Sequence, residues 1–156
     1  MLRWLVLIAT HTGMLAVGFA LGVYFLPILT APKSPDAAAL KVAAQSAQYS
    51  AKFRRDLKGS DPLHWGEGDV HVAKKQIVHI GRLAPGPDYK LYLAKSFVDT
   101  KEGFLAIKSQ SRRIADVETF NGFIAEVPDG TDVADFTTVV VWCEAFSQFI
   151  SAAKYR

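Results

Sequence analysis

The stretch Gly68–Gly81, GDVHVAKKQIVHIG, sets Val70 and Val72 in one alternating run and Ile77, Val78 and Ile80 in a second, with Lys74-Lys75 between them. Alternation at period 2 with β-branched residues reads as two half-buried strands joined by a hairpin. On an even loop such as Lys74-Lys75, Val72 faces Ile77, and His71 and His79 fall on opposite faces. A three-residue loop brings the two histidines side by side on one face. Even loops are the commoner, so the first register is the expectation.

The same texture continues to the C-terminus. DYKLYLA (88–94), FLAIKS (104–109), TFNGFIAEV (119–127), TTVVVWCEAF (137–146) and SQFISAAKY (147–155) are short apolar runs separated by Pro85-Gly86-Pro87, Gly103 and Pro128-Asp129-Gly130. Asn121-Gly122 between two such runs is a strong hairpin signal, because both positions tolerate positive φ. About seven strands without a long helical period predict an all-β domain over 60–156, an antiparallel sandwich or barrel.

Upstream the pattern is different. Trp4–Leu29, WLVLIATHTGMLAVGFALGVYFLPIL, holds no Asp, Glu, Lys or Arg, and roughly 20 apolar residues cross a bilayer as a helix. Residues 1–30 are therefore expected to form a transmembrane anchor. A cleavable signal peptide is the rival reading, although its apolar core runs to about 7–15 residues and no A-x-A site follows here. Arg3 and the α-amino group place the N-terminus in the cytoplasm and the C-terminal domain outside it, in the periplasm or at the cell surface. His11 inside this segment reads as a tolerated neutral imidazole.

Residues 31–59 read as a helical linker. Ser34 is the expected N-cap with Pro35 at the first helical position, and Tyr49, Phe53 and Leu57 stand at i, i+4 spacing on a helix running to about Leu57. The 156-residue chain carries net charge +3, and the surplus is local. Residues 1–59 hold seven basic and two acidic side chains, and residues 60–156 hold eleven and thirteen. The domain has no basic stripe, which excludes nucleic acid as its partner. The membrane, through the N-terminal helix, and a redox or cell-envelope protein are the expected partners.

GPDYKLYL (86–93), FNGFIAEVPDG (120–130) and TTVVVWCEAFSQFISAAKY (137–155) resemble the DM-thirteen domain family, small extracytoplasmic domains often found beside DOMON domains. The resemblance spans 60–156, and its most specific piece is V-V-V-W-C-x-x-F. It implies electron transfer or another redox reaction through the signature cysteine, as a bare thiol or a haem ligand. That role falls on Cys143.

The residues themselves leave two readings of Cys143 open. In a strand, Val139, Val141 and Cys143 share one face, while Val140, Trp142, Glu144 and Phe146 share another that Glu144 suggests is partly exposed. An inward thiol is commonly a packed, inert core residue. With His64, His71 and His79 it could instead form a copper or iron site, since one thiolate with imidazoles suits those metals. His64-Trp65 is expected to close one end of the sandwich, with Trp65 as a core plug. One cysteine excludes an internal disulfide framework. No G-x-S-x-G elbow, P-loop, H-E-x-x-H or dinucleotide fingerprint is present. Asp129, Asp132 and Asp135 read as a polar loop. Two functions survive: a membrane-tethered redox domain working through Cys143, and a non-catalytic envelope interaction module in which Cys143 packs.

Overall fold

A computed structural model describes residues 1–156. Helix α1, Leu2–Thr30, is long and apolar enough to cross a membrane, and none of its residues is buried in the protein. Thr10, His11 and Thr30 bond back to carbonyls of the preceding turn. The Thr30 hydroxyl donates to Leu26 O at 2.8 Å, and His11 Nδ1 lies 2.7 Å from Leu7 O.

Helix α2 is Ala37–Ala44, shorter than the linker helix expected from sequence. Asp36, two residues beyond Ser34, is its N-cap, with the carboxylate accepting from Ala39 N at 2.7 Å. Leu40 is buried where α2 docks on the sandwich, and Gln76 Nε2 donates to Ala43 O. Tyr49–Phe53 is not helical: it forms strand β1, an edge strand with Phe53 in the core. Spacing of four fits both periods, and Ala51 between polar Ser50 and Lys52 decides for alternation.

Two four-stranded antiparallel sheets face each other, so the domain is a β-sandwich. The first joins β1, β2 (Gly66–Val72), β3 (Gln76–Leu83) and β6 (Phe123–Glu126), in the order β1-β2-β3-β6. The second joins β4 (Tyr89–Ala94), β5 (Arg112–Val117), β7 (Thr138–Cys143) and β8 (Gln148–Lys154), in the order β5-β4-β7-β8. The β2–β3 hairpin turns on the even loop: Val72 faces Ile77, and Ala73 N donates to Gln76 O. Asn121-Gly122 does not make a hairpin. Gly122, at φ +91°, lies where the chain leaves β5 of one sheet for β6 of the other.

The main core lies between the sheets and includes Val70, Ile77, Leu91, Val139, Val141 and Ile150. A second, smaller core covers the outer face of the second sheet, where Tyr92, Val140, Trp142 and Phe149 pack against Phe104. Phe104 belongs to helix α3, Lys101–Ile107. The run FLAIKS is thus helix and 3-10 turn, started by Thr100, whose hydroxyl accepts from Gly103 N. This cap overrides the β-like composition, and it leaves Val140 and Trp142 fully buried where a partly exposed face was expected. The register shift between Val141 and Trp142 against β8 is what turns Phe149 outward, beside Trp142, while Ile150 points into the main core.

Candidate functional site

Cys143 closes β7, opposite Tyr89 of β4 and Gln148 of β8. Directly opposed residues in an antiparallel pair project to the same side, and both Cys143 and Tyr89 face the inter-sheet core. They lie at the end of the sandwich, where the core opens into a cavity of about 280 Å³. Leu63, Pro85, Pro87 and Phe146 form its domain side, and Phe19, Ala20, Val23 and Tyr24 of α1 form its other wall.

Burial pushes the Cys143 thiol up from its ordinary range, and the backbone N–H groups of Phe146, Asp88 and Ala145 offset part of that by favouring a thiolate. At 2% exposure the sulfur is reached through the cavity, not from the open surface. Burial also pushes the Tyr89 phenol up, with Cys143 and Asp61 acting in the same sense. Tyr89 is therefore a hydrogen-bond donor at neutral pH.

His64 enters the same cavity from the turn before β2. Its Nδ1 lies 2.7 Å from Asp61 Oδ2, while Asp61 Oδ1 accepts from the amides of Leu63 and His64. Burial alone would raise the Asp61 carboxyl, but these bonds hold it below the usual carboxylate range. Asp61 is thus the acceptor, and in the neutral ring His64 Nδ1 carries the proton and Nε2 is an acceptor.

The other histidines lie elsewhere. His71 is on the outer face of the first sheet, with Nδ1 3.2 Å from Ser50 Oγ. His79 points inward between the rings of Phe53 and Phe123, with Nε2 donating to Glu67 O at 3.0 Å. No three His, Cys, Asp or Glu side chains converge to hold a metal ion, so the structure does not bring Cys143, His64, His71 and His79 into one copper or iron set. Trp65 is not a core plug: it is half-buried beneath the Arg55 guanidinium, 3.3 Å from its ring centroid. Asp129 pairs with Lys75, and Asp132 caps a short 3-10 turn through Ala134 N.

Sequence reading singled out Cys143 and His64 but missed Tyr89, Asp61 and the α1 wall. The Asp61-Pro62-Leu63-His64 spacing was the available signal, because an Asp two or three residues before free amides caps them with its side chain. On the back of Cys143, Glu144 faces the small outer core. Burial raises its carboxyl, but Lys108 Nζ at 2.6 Å and the Tyr92 hydroxyl bring it below the usual range.

A family model described as Electron transfer DM13 matches residues 56–155. No curated protein and no solved structure matches the chain.

Proposed function

This chain belongs to the electron-transfer DM13 family, and on that premise we propose that it is a membrane-anchored domain that passes electrons outside the cytoplasm at Cys143. The observation that carries this reading is the position of the chain's single cysteine. It sits at a strand end, on the floor of a cavity, with backbone amides around the sulfur. Helix α1 supplies the anchor, and Arg3 on its short N-terminal side favours a cytoplasmic N-terminus.

A second reading, an envelope interaction module, draws on the burial of Cys143 and the raised pKa of its thiol, since such a thiol is usually inert. Thiol labelling separates the two. Intact cells expressing the full chain are treated with a membrane-impermeant maleimide, and the detergent-solubilised chain is titrated with redox mediators. The redox reading expects labelling of Cys143 from outside and a titration step, in which the thiol loses electrons to an oxidising mediator, that is lost in Cys143→Ser. A thiol silent until denaturation, with identical mediator titrations for the two proteins, leaves the interaction module.

A further inference from the structure

The cavity beside Cys143 has one wall from the domain and one from a helix made to sit in lipid. Its lining is chiefly apolar, and Leu63 and Phe146, 58% and 51% exposed, extend the apolar surface beyond its mouth. On α1, Trp4 and Tyr24 stand about 30 Å apart along the axis, the thickness of the hydrocarbon core. Both are residue types that settle at membrane interfaces. Seated in this way, α1 lifts Phe25–Thr30 clear of the hydrocarbon and holds the cavity at its outer boundary, with Phe19 and Ala20 inside it. Its open side then faces lipid.

Two polar groups reach into this apolar space. Tyr89 is 3% exposed, and its hydroxyl lies against Gly86, where a Cβ would come within 2.3 Å. The hydroxyls of Tyr92 and Tyr155 are bonded to Glu144 and to Val133 O, whereas that of Tyr89 has no partner in the chain. It opens onto the cavity, where a ligand oxygen can accept from it. His64, with its Nδ1 committed to Asp61, offers Nε2 as an acceptor. A donor and an acceptor inside an apolar slot match a flat ring that carries oxygens at its edge. A quinone carbonyl accepts from Tyr89, and a quinol hydroxyl donates to His64.

We infer that this cavity binds the head group of a membrane-resident quinone, with Tyr89 and His64 holding its oxygens and α1 and Phe146 enclosing its ring. The assignment rests on the membrane-anchored redox reading above and names the carrier with which that site would work. At about 280 Å³ the cavity accommodates a single substituted ring. An acyl chain alone leaves Tyr89 unpaired.

The test is photolabelling of the full chain in phosphatidylcholine nanodiscs with an azido-benzoquinone bearing a decyl tail. Label is expected in two peptides, one holding Phe19–Tyr24 and one holding Gly86–Tyr89. Excess decyl-benzoquinone should displace it, and decylbenzene, which has the tail and ring without the oxygens, should not. Tyr89→Phe should weaken the competition roughly tenfold, the scale of one lost hydrogen bond. Ala20→Trp fills the cavity from an exposed helix position without touching the domain's fold, and should abolish the label. Labelling spread along α1, or displaced equally by decylbenzene, overturns the inference in favour of ordinary lipid contact. Cys143→Ser keeps the two ideas apart. Its labelling should persist even if Cys143 carries no electrons. A mediator titration step at Cys143 without site-specific labelling in the wild type sinks the quinone assignment alone.

Discussion

Acid should weaken this domain through one buried histidine. His79 is fully buried between Phe53 and Phe123, its Nε2 donates to Glu67 O, and its Nδ1 has no partner. Burial drives its pKa from 6.5 to about 4, against small opposing contributions from the Glu67 carbonyl and the charge of Asp69. The folded chain therefore holds a neutral ring where the unfolded chain takes up a proton. Stability is complete above pH 6.5 and falls as pH drops toward 4. The loss is about 2 kcal/mol at pH 5 and approaches about 3 kcal/mol below pH 4. Two kcal/mol is a large share of the ordinary 5–15 kcal/mol, and for a domain of this size it lowers the melting temperature by roughly 10 °C. The carboxylates held low, such as Asp61, Asp116 and Glu144, exert their effect below their ordinary values of 3.8 and 4.5. The window from pH 4.5 to 6.5 thus belongs to His79. Thermal melts of the detergent-solubilised chain at pH 7.5 and 5.0 should show the drop, and His79→Leu should flatten it. An unchanged pH dependence in His79→Leu, or an imidazole that titrates near 6.5 in the folded chain, refutes the reasoning.

Gly81→Ala puts a Cβ 2.0 Å from Glu67 O and 2.7 Å from Gly68 Cα across the β2–β3 pair, and crowds His79 Nε2 at 2.8 Å. It should destabilise by about 3 kcal/mol, in the range of severe single substitutions, read as a lower urea midpoint at unchanged slope. Phe104→Ala empties the centre of the outer core beneath α3 and should cost about 3–5 kcal/mol. Because that core lies on the far side of the second sheet from the sulfur, the labelling rate of Cys143 in the still-folded fraction should not change.

The sandwich was legible wherever alternation and turn residues agreed. The Lys74-Lys75 hairpin and its register, and the inward face of Cys143, follow from period 2 and an even loop. Three elements escaped for separate reasons. Tyr49 and Phe53 carry a spacing common to helix and strand, and the hydrogen bonds of β1 to β2 settle it. FLAIKS has strand composition, but Thr100 caps it as a helix and tertiary burial of Phe104 secures it. Asn121-Gly122 has the local chemistry of a tight turn, yet its flanking strands find partners in different sheets. At the site, Cys143 and His64 were visible as reactive types. Tyr89 becomes part of it only through the pairing of β4 with β7, a relation between segments about 50 residues apart that no local pattern encodes.

Between α1 and α2 the chain runs through Ala31–Asp36 without regular structure, and α2 stays with the sandwich through Leu40 and Gln76. If α1 anchors the chain as proposed, this short tether is where a protease would release the domain, since unstructured backbone is what such enzymes cut. Shedding would leave Phe19, Val23 and Tyr24 behind in the bilayer and strip one wall from the cavity. The released fragment would carry an unroofed thiol into the surrounding fluid, free to form a mixed disulfide there. A single cut in this tether would therefore change the accessibility of Cys143 as well as the domain's address.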